Sequence, residues 1–223
     1  MFLLLYGQLV MTSIIEEKNN RVLEIMVSSI KPGQLMLGKI LGIGSVALTQ
    51  VAIWGIILVS ISAFLLPAIL PADIMAEVTA FNTGSLNAAT AQNDIETLQA
   101  ISILSNVGYI VNIIIYLILF LIGGFLFYAF MYGALGALVS KIEDLNKTAG
   151  SAQMIIMIVY MVTLIGIMDP DSILMKVCSY LPISSYSAMF ARVAMGSVAM
   201  WEIVLSAVLL YASVVGMGIL GGK

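Results

Sequence analysis

The chain has 223 residues, of which 61% are hydrophobic and 9% charged, with a net charge of −3 and a mean hydropathy of +1.12. Soluble domains carry about 25% charged residues. A chain this apolar cannot hide its surface in a water-soluble core, so the composition excludes a soluble enzyme and gives no reason to expect a nucleic-acid partner.

Residues 1–15 form an apolar run. As a helix it reaches only about 22 Å, short of the roughly 30 Å of hydrocarbon in a bilayer. It lacks a basic start and a small-residue cleavage site before Glu16, so it does not read as a signal peptide. It reads as a partial span. A further segment before Met1 and a short tail after Lys223 are expected in the full protein.

Residues 16–39 follow as EEKNNRVLEIMVSSIKPGQLMLGK, an island with seven charged residues. Glu17 with Arg21, and Arg21 with Glu24, are spaced to meet on one helical face. Ile15, Val22, Met26 and Ser29 fall on roughly one stripe, which predicts an amphipathic helix along the membrane surface. Pro32-Gly33 is expected to break that helix. A second short helix over 34–39 is expected to feed the next span.

The next uncharged run, 40–66, is long enough to span. The 67–106 segment reads as an outer loop with a short helix over 94–105, capped by Asn93 or Asp94. The run 107–140 would measure about 50 Å as a helix. It must tilt, protrude or kink, and Gly123-Gly124 is the expected kink. Residues 141–147 read as a short loop, 148–168 as a span and 203–222 as the last span. Between them, 169–202 holds two apolar pieces, 173–181 and 183–196, separated by Pro182. Each is too short to span, so they read as re-entrant or interfacial helices. The expected fold is all-α, a polytopic helical membrane protein with about five spans in this chain. The long runs show none of the alternation that a barrel requires.

Lysine and arginine counts orient it. Lys18, Arg21, Lys31, Lys39, Lys141, Lys147 and Lys223 fall on one side. Only Lys176 and Arg192 fall on the other. The island, the 141–147 loop and Lys223 are then cytoplasmic. Small residues at four-residue spacing (Gly38 with Gly42, Ala129 with Gly133, Ala212 with Gly216) allow close helix packing.

The chemistry available is narrow. There is no histidine and one cysteine, Cys178, so histidine-based metal sites, Ser-His nucleophiles and an internal disulfide are excluded within this chain. No metal or cofactor is expected. Gly33 to Gly38-Lys39 has the spacing of a phosphate-binding loop, but Ile40 stands where magnesium binding needs Ser or Thr, and no strand precedes it. The spans contain no Asp, Glu, Lys or Arg, the groups that usually carry a coupling ion at membrane depth. Gln50, Asn112, Tyr116 and Thr163 are the candidate polar lining of a translocation path. Energy for uphill transport is therefore expected from outside the spans, through the island.

Glu16-Glu17-Lys18, Asn20-Arg21, Glu24-Ile25, Ser28-Ser29, Lys31-Pro32, Gln34-Leu35 and Gly38-Lys39 resemble the segment after the second span of type-2 ATP-binding-cassette exporter permeases. The resemblance is to the sodium-exporter-like (NatB-like) branch. Leu181-Pro182, Ser184-Ser185, Arg192 and Trp201-Glu202 resemble that branch's last outer loop and final span. It covers nearly the whole chain. It implies six spans in the intact protein, a large outer domain between the first two, and a start here within span two.

It further implies a multi-pass permease subunit in the cytoplasmic membrane of a prokaryote, paired with a second permease chain, identical or similar, and with two cytoplasmic ATPase subunits. Sodium export is the activity of the branch. Glu16, Glu17, Lys18, Asn20, Arg21, Glu24, Ser28 and Ser29 would form the coupling helix in the ATPase groove. The 141–147 loop would be a second contact, and the pieces over 173–196 would cap the path. The alternatives are a membrane scaffold subunit that docks a cytoplasmic protein and moves nothing, and an ion-coupled carrier.

Overall fold

The computed structural model describes residues 2–19, 32–83, 95–138, 142–196 and 198–221. Among them there is helix and no strand. Helix α1 covers Phe2–Asn19 and α2 covers Pro32–Ser60. A π-helical turn, Ile61–Leu65, carries α2 on into α3, Leu66–Ile69. Then come α4 (Ala72–Asn82), α5 (Ile95–Ser105), α6 (Val107–Leu138) and α7 (Ile142–Gly166). Helices α8 (Ile173–Tyr180), α9 (Pro182–Ala194) and α10 (Met200–Gly221) close the order.

Among the described residues, four helical stretches are long and apolar enough to cross a membrane: Gly33–Ile69, Val107–Ala137, Thr148–Gly166 and Met200–Ile219. They match the four complete spans expected from the runs. Helix α1 has 18 residues and carries Glu16, Glu17 and Lys18 close to Asn19. Helix α6, at 32 residues, is about 48 Å long.

The chain divides into two compact units. The first comprises 1–49 and 116–223. Its core is organised on α6, which contributes Phe120, Phe125, Phe127, Tyr128, Ala129, Phe130 and Tyr132, all buried. Helix α6 is apolar on every side, which suits a helix surrounded by others. Leu3, Val10, Met11 and Ile15 from α1, Met36 and Ile40 from α2, and Leu210 and Val214 from α10 pack into the same core. Helix α9 packs on α7, α8 and α10.

Glycines set the close approaches. A Cβ at Gly124 would lie 2.7 Å from the Cβ of Tyr186, so this position lets α9 press against α6. Gly123 meets Leu210 and Tyr211 of α10 in the same way. The pair expected to kink the long helix therefore serves packing, and α6 runs through it as continuous α-helix. Of the four-residue small pairs, Ala129 is buried and Gly133 lies against Met36 and Ile14. Among the described residues, Gly38, Gly42 and Gly216 have nothing within 4 Å of an added Cβ and so make no close helix contact there.

The second unit comprises 50–115. Helices α4 and α5 pair as a helical hairpin, burying Val78 and Leu98. The Ser102 hydroxyl donates to the Asn82 side-chain oxygen, and Ser62 donates to the Leu104 carbonyl at 2.7 Å. Helix α5 answers to the helix expected over 94–105. Asn93 and Asp94, its expected caps, lie outside the described residues. Helix α4 was not expected. Pro71 stands as its cap and Asp73 sits in its first turn, where a carboxylate favours the positive end of the helix dipole.

Two local readings change. Pro32 opens α2. The first helical position needs no backbone N–H, and the ring presets φ for a helix. Residues 34–39 belong to the same continuous helix rather than to a separate short one. The expected 141–147 loop is mostly helix, since α7 begins at Ile142. Glu143 and Asp144 fall in its first turn by sequence, a favourable place for acids. The expected end of the island helix near Ser28-Ser29 lies outside the described residues.

Candidate functional site

Two sites join helices through buried charge. At the end of α1, the Lys39 ammonium lies 2.6 Å from Glu17 Oε2 and donates to the Ser13 carbonyl at 2.7 Å. Ser13 and Glu17 are four apart, so both face one side of α1. Lys39 sits in the second turn of α2, and only 12% of its side chain is exposed. The cation also sits near the C-terminal end of α1, where the helix dipole is negative. Glu16, beside this pair, is exposed.

Below the pair, three helices meet at Gly133 of α6. An added Cβ there would lie 2.5 Å from Met36 Cε and 3.5 Å from Ile14 Cδ1. The polar clasp thus closes over an apolar junction of α1, α2 and α6.

The second site is built on α8, α9 and α10. Ser172 caps α8, its hydroxyl accepting from the Met175 N–H. Pro182 stands at the first position of α9, as its missing N–H allows. Gly196, at φ +75°, follows the end of α9 and donates its N–H to the Val193 carbonyl, a left-handed cap that glycine takes without strain. One face of α9 buries Ser184, Ser185, Ala188, Met189 and Arg192.

Arg192 is completely buried. Its Nη2 lies 2.8 Å from Glu202 Oε2 in the first turn of α10 and 3.9 Å from Asp171. Its Nη1 donates to the Ser179 hydroxyl of α8 at 3.2 Å. Ser206 of α10 donates to the Ser179 carbonyl at 2.6 Å, and Ser184 donates to the Cys178 carbonyl at 2.6 Å. Burial and then the Glu202 carboxylate raise the pKa of the Tyr180 phenol, while Arg192 opposes the rise.

The residues singled out from the sequence are placed unevenly. Glu17 is turned toward Lys39. Lys18 lies in the last turn of α1. Asn20, Arg21, Glu24, Ser28 and Ser29 lie outside the described residues. Thr163 is buried, donates to the Val159 carbonyl at 2.9 Å and lies 3.0 Å from the Ser187 hydroxyl of α9. The Tyr116 hydroxyl lies 3.7 Å from the Met200 sulfur. These two share no partner. Gln50 and Asn112 are exposed residues of the second unit.

Sequence reasoning missed the Lys39–Glu17 clasp, pairing Glu17 with Arg21 instead. It noticed Arg192 and Glu202 only as parts of a resemblance. The available signal was a lone arginine in an apolar segment, with a glutamate ten residues on. Among the described residues no group of three acidic, cysteine or histidine side chains could hold a metal. A cavity of about 260 Å³ between α2 and α6 is lined by Ile40, Leu48, Leu121 and Phe125. Such walls accept an apolar group and offer a bare ion little.

The whole chain, residues 1–223, matches the family model described as ABC-2 family transporter protein. It is similar to the uncharacterized protein YhaP of Bacillus subtilis (strain 168), at 26% identity over 99% of this chain and 46% of that one. It is also similar to the uncharacterized protein MJ1024 of Methanocaldococcus jannaschii, at 27% identity over 93% of this chain and 41% of that one. The chain therefore spans less than half the length of these curated relatives. No solved structure matches it. With its helices long and apolar enough to cross a membrane several times and the match over its full length, this chain belongs to the ABC-2 transporter family.

Proposed function

We propose that the chain is the permease part of an ATP-driven exporter, forming a path for an ion or small molecule and driven by a separate cytoplasmic ATPase. The observation that carries this reading is the distribution of charge. Apart from Lys39 and Glu202 near their ends, the spans hold no Asp, Glu, Lys or Arg, whereas residues 16–39 carry seven charged side chains. An ion-coupled carrier normally needs such groups in its spans. An ATPase-driven permease needs them where it grips its motor.

In this reading Glu16, Lys18, Asn20, Arg21, Glu24, Ser28 and Ser29 face the ATPase. A second permease chain, identical or similar, completes the path. Helices α8 and α9 cap its outer end. The lysine and arginine distribution supports a cytoplasmic island, and the resemblance of the island supports the cytoplasmic membrane of a prokaryote. Sodium is the first cargo to test, given the branch that the island resembles, and an amphipathic molecule is the second, given the apolar cavity.

The deciding experiment uses the full-length protein co-expressed with a candidate ABC ATPase from the same genome. Arg21→Glu with Glu24→Arg should abolish co-purification of the ATPase and ATP-dependent transport in proteoliposomes. Unchanged association and transport would remove the coupling role. Association without any ATP-dependent transport across a panel of sodium, drugs, peptides and lipids would favour a scaffold.

A further inference from the structure

The Lys39–Glu17 clasp lies at the two feet of the segment proposed to grip the ATPase. Its geometry is specific. One ammonium bridges a carboxylate at 2.6 Å and a backbone carbonyl at 2.7 Å on successive turns of α1. The carbonyl contact fixes the lysine along the helix axis, which a side-chain pair alone does not. Both charged side chains are partly withdrawn from solvent, at 12% and 27% exposure, so the attraction is screened less than in a surface pair. Just beneath, Met36 and Ile14 meet over Gly133 of α6. Ile15 and Ile40 are fully buried in the same core.

We propose that Lys39 is a positioning residue that clasps the foot of α2 to the foot of α1, so that force applied between them moves both helices as one body against α6. The inference rests on the reading of this chain as an ATPase-driven permease. Without the clasp, a pull on the intervening segment would be spent in separating α1 from α2. The apolar contacts beneath hold the helices together but set no register between them, because hydrophobic burial is not directional. The ATPase would still bind and still hydrolyse ATP, but the spans would not follow.

The test separates binding from transmission. The full-length protein with its ATPase is reconstituted with spin labels at two exposed positions, Val46→Cys in α2 and Met200→Cys in α10, in a Cys178→Ser background. Their distance is measured without nucleotide and with ATP trapped by vanadate. Lys39→Met should keep ATPase co-purification and ATP turnover at the level of the unsubstituted protein, and lose the nucleotide-dependent shift in distance. Lys39→Arg, which keeps the cation, should retain the shift. If Lys39→Met is poorly folded, Glu17→Cys with Lys39→Cys provides the second route. Joining these by a short bis-maleimide should restore the shift that the unlinked pair lacks.

An unaltered shift in Lys39→Met would overturn the inference. So would loss of ATPase association in that variant, which would make Lys39 part of the docking surface. A cross-link that restores nothing would count against it equally. Failure of the underlying reading looks different, since the unsubstituted protein would then show no shift with nucleotide.

Discussion

Arg192 and Glu202 form a buried ion pair, 2.8 Å from Nη2 to Oε2, in which the arginine is wholly enclosed and the glutamate is 16% exposed. It joins α9 to the first turn of α10, and the Ser179 hydroxyl ties the same guanidinium to α8. Three helices thus converge on one side chain. Such a pair need not make the fold more stable than apolar residues would, but breaking it on one side leaves a buried charge alone.

Removing one partner should therefore be costly. Arg192→Met, which strands the Glu202 carboxylate, should destabilise the protein by about 3–5 kcal/mol. Replacing both, Arg192→Met with Glu202→Leu, should recover most of that loss. Thermal unfolding of the detergent-solubilised protein measures both. Equal losses in the single and double variants would show that the charges are not coupled.

The Tyr128 hydroxyl donates to the Ile183 carbonyl at 2.6 Å, joining α6 to the first turn of α9. The ring itself packs edge-on against Tyr186, with centroids 5.6 Å apart. Tyr128→Phe keeps the ring and removes a second hydrogen bond to a carbonyl already in the α9 ladder, so it should cost about 0.5–1.5 kcal/mol. The same unfolding measurement reads it, and no change in midpoint would mean that this bond adds no net stability.

Gly124 and Gly42 make a matched pair of tests. Gly124→Ala forces a Cβ to within 2.7 Å of Tyr186, and such overpacking should cost about 1–3 kcal/mol. Gly42→Ala meets nothing within 4 Å, so the unfolding midpoint should stay put or rise slightly, as expected for alanine in a helix. A marked loss at Gly42 would reveal a contact from outside this chain.

Orientation can be read with a single accessible cysteine in a Cys178→Ser background. Asp73 and Glu16 are both exposed and belong to opposite sides in the proposed topology. A membrane-impermeant maleimide should label Asp73→Cys in intact cells, and Glu16→Cys only after permeabilisation. The reverse pattern would invert the topology.

The long apolar runs alone fixed the helical membrane class, because roughly 30 Å of hydrocarbon demands about 20 apolar residues per helix and forbids open strands. The short pieces around Pro182 were legible for a related reason, since each is too short to span and proline suits only a helix start. Helix ends were less legible. Pro32 and Ile142 are read from sequence as breaks or loops, yet the same residues can begin a helix, and the chain beyond them decides which.

What only the tertiary structure decided was partnership. Glu17 lies four residues from Arg21 and twenty-two from Lys39, and spacing along one helix favours the nearer cation. Folding brings α2 beside α1 and puts Lys39 against Glu17 with a backbone carbonyl as a second anchor. Arg192 stands out in sequence only as a lone arginine in an apolar segment, and its enclosure depends on which helices pack around it. Hydrophobic length is a property of a segment and survives in isolation. Charge pairing is a property of two segments and exists only once packing has brought them together.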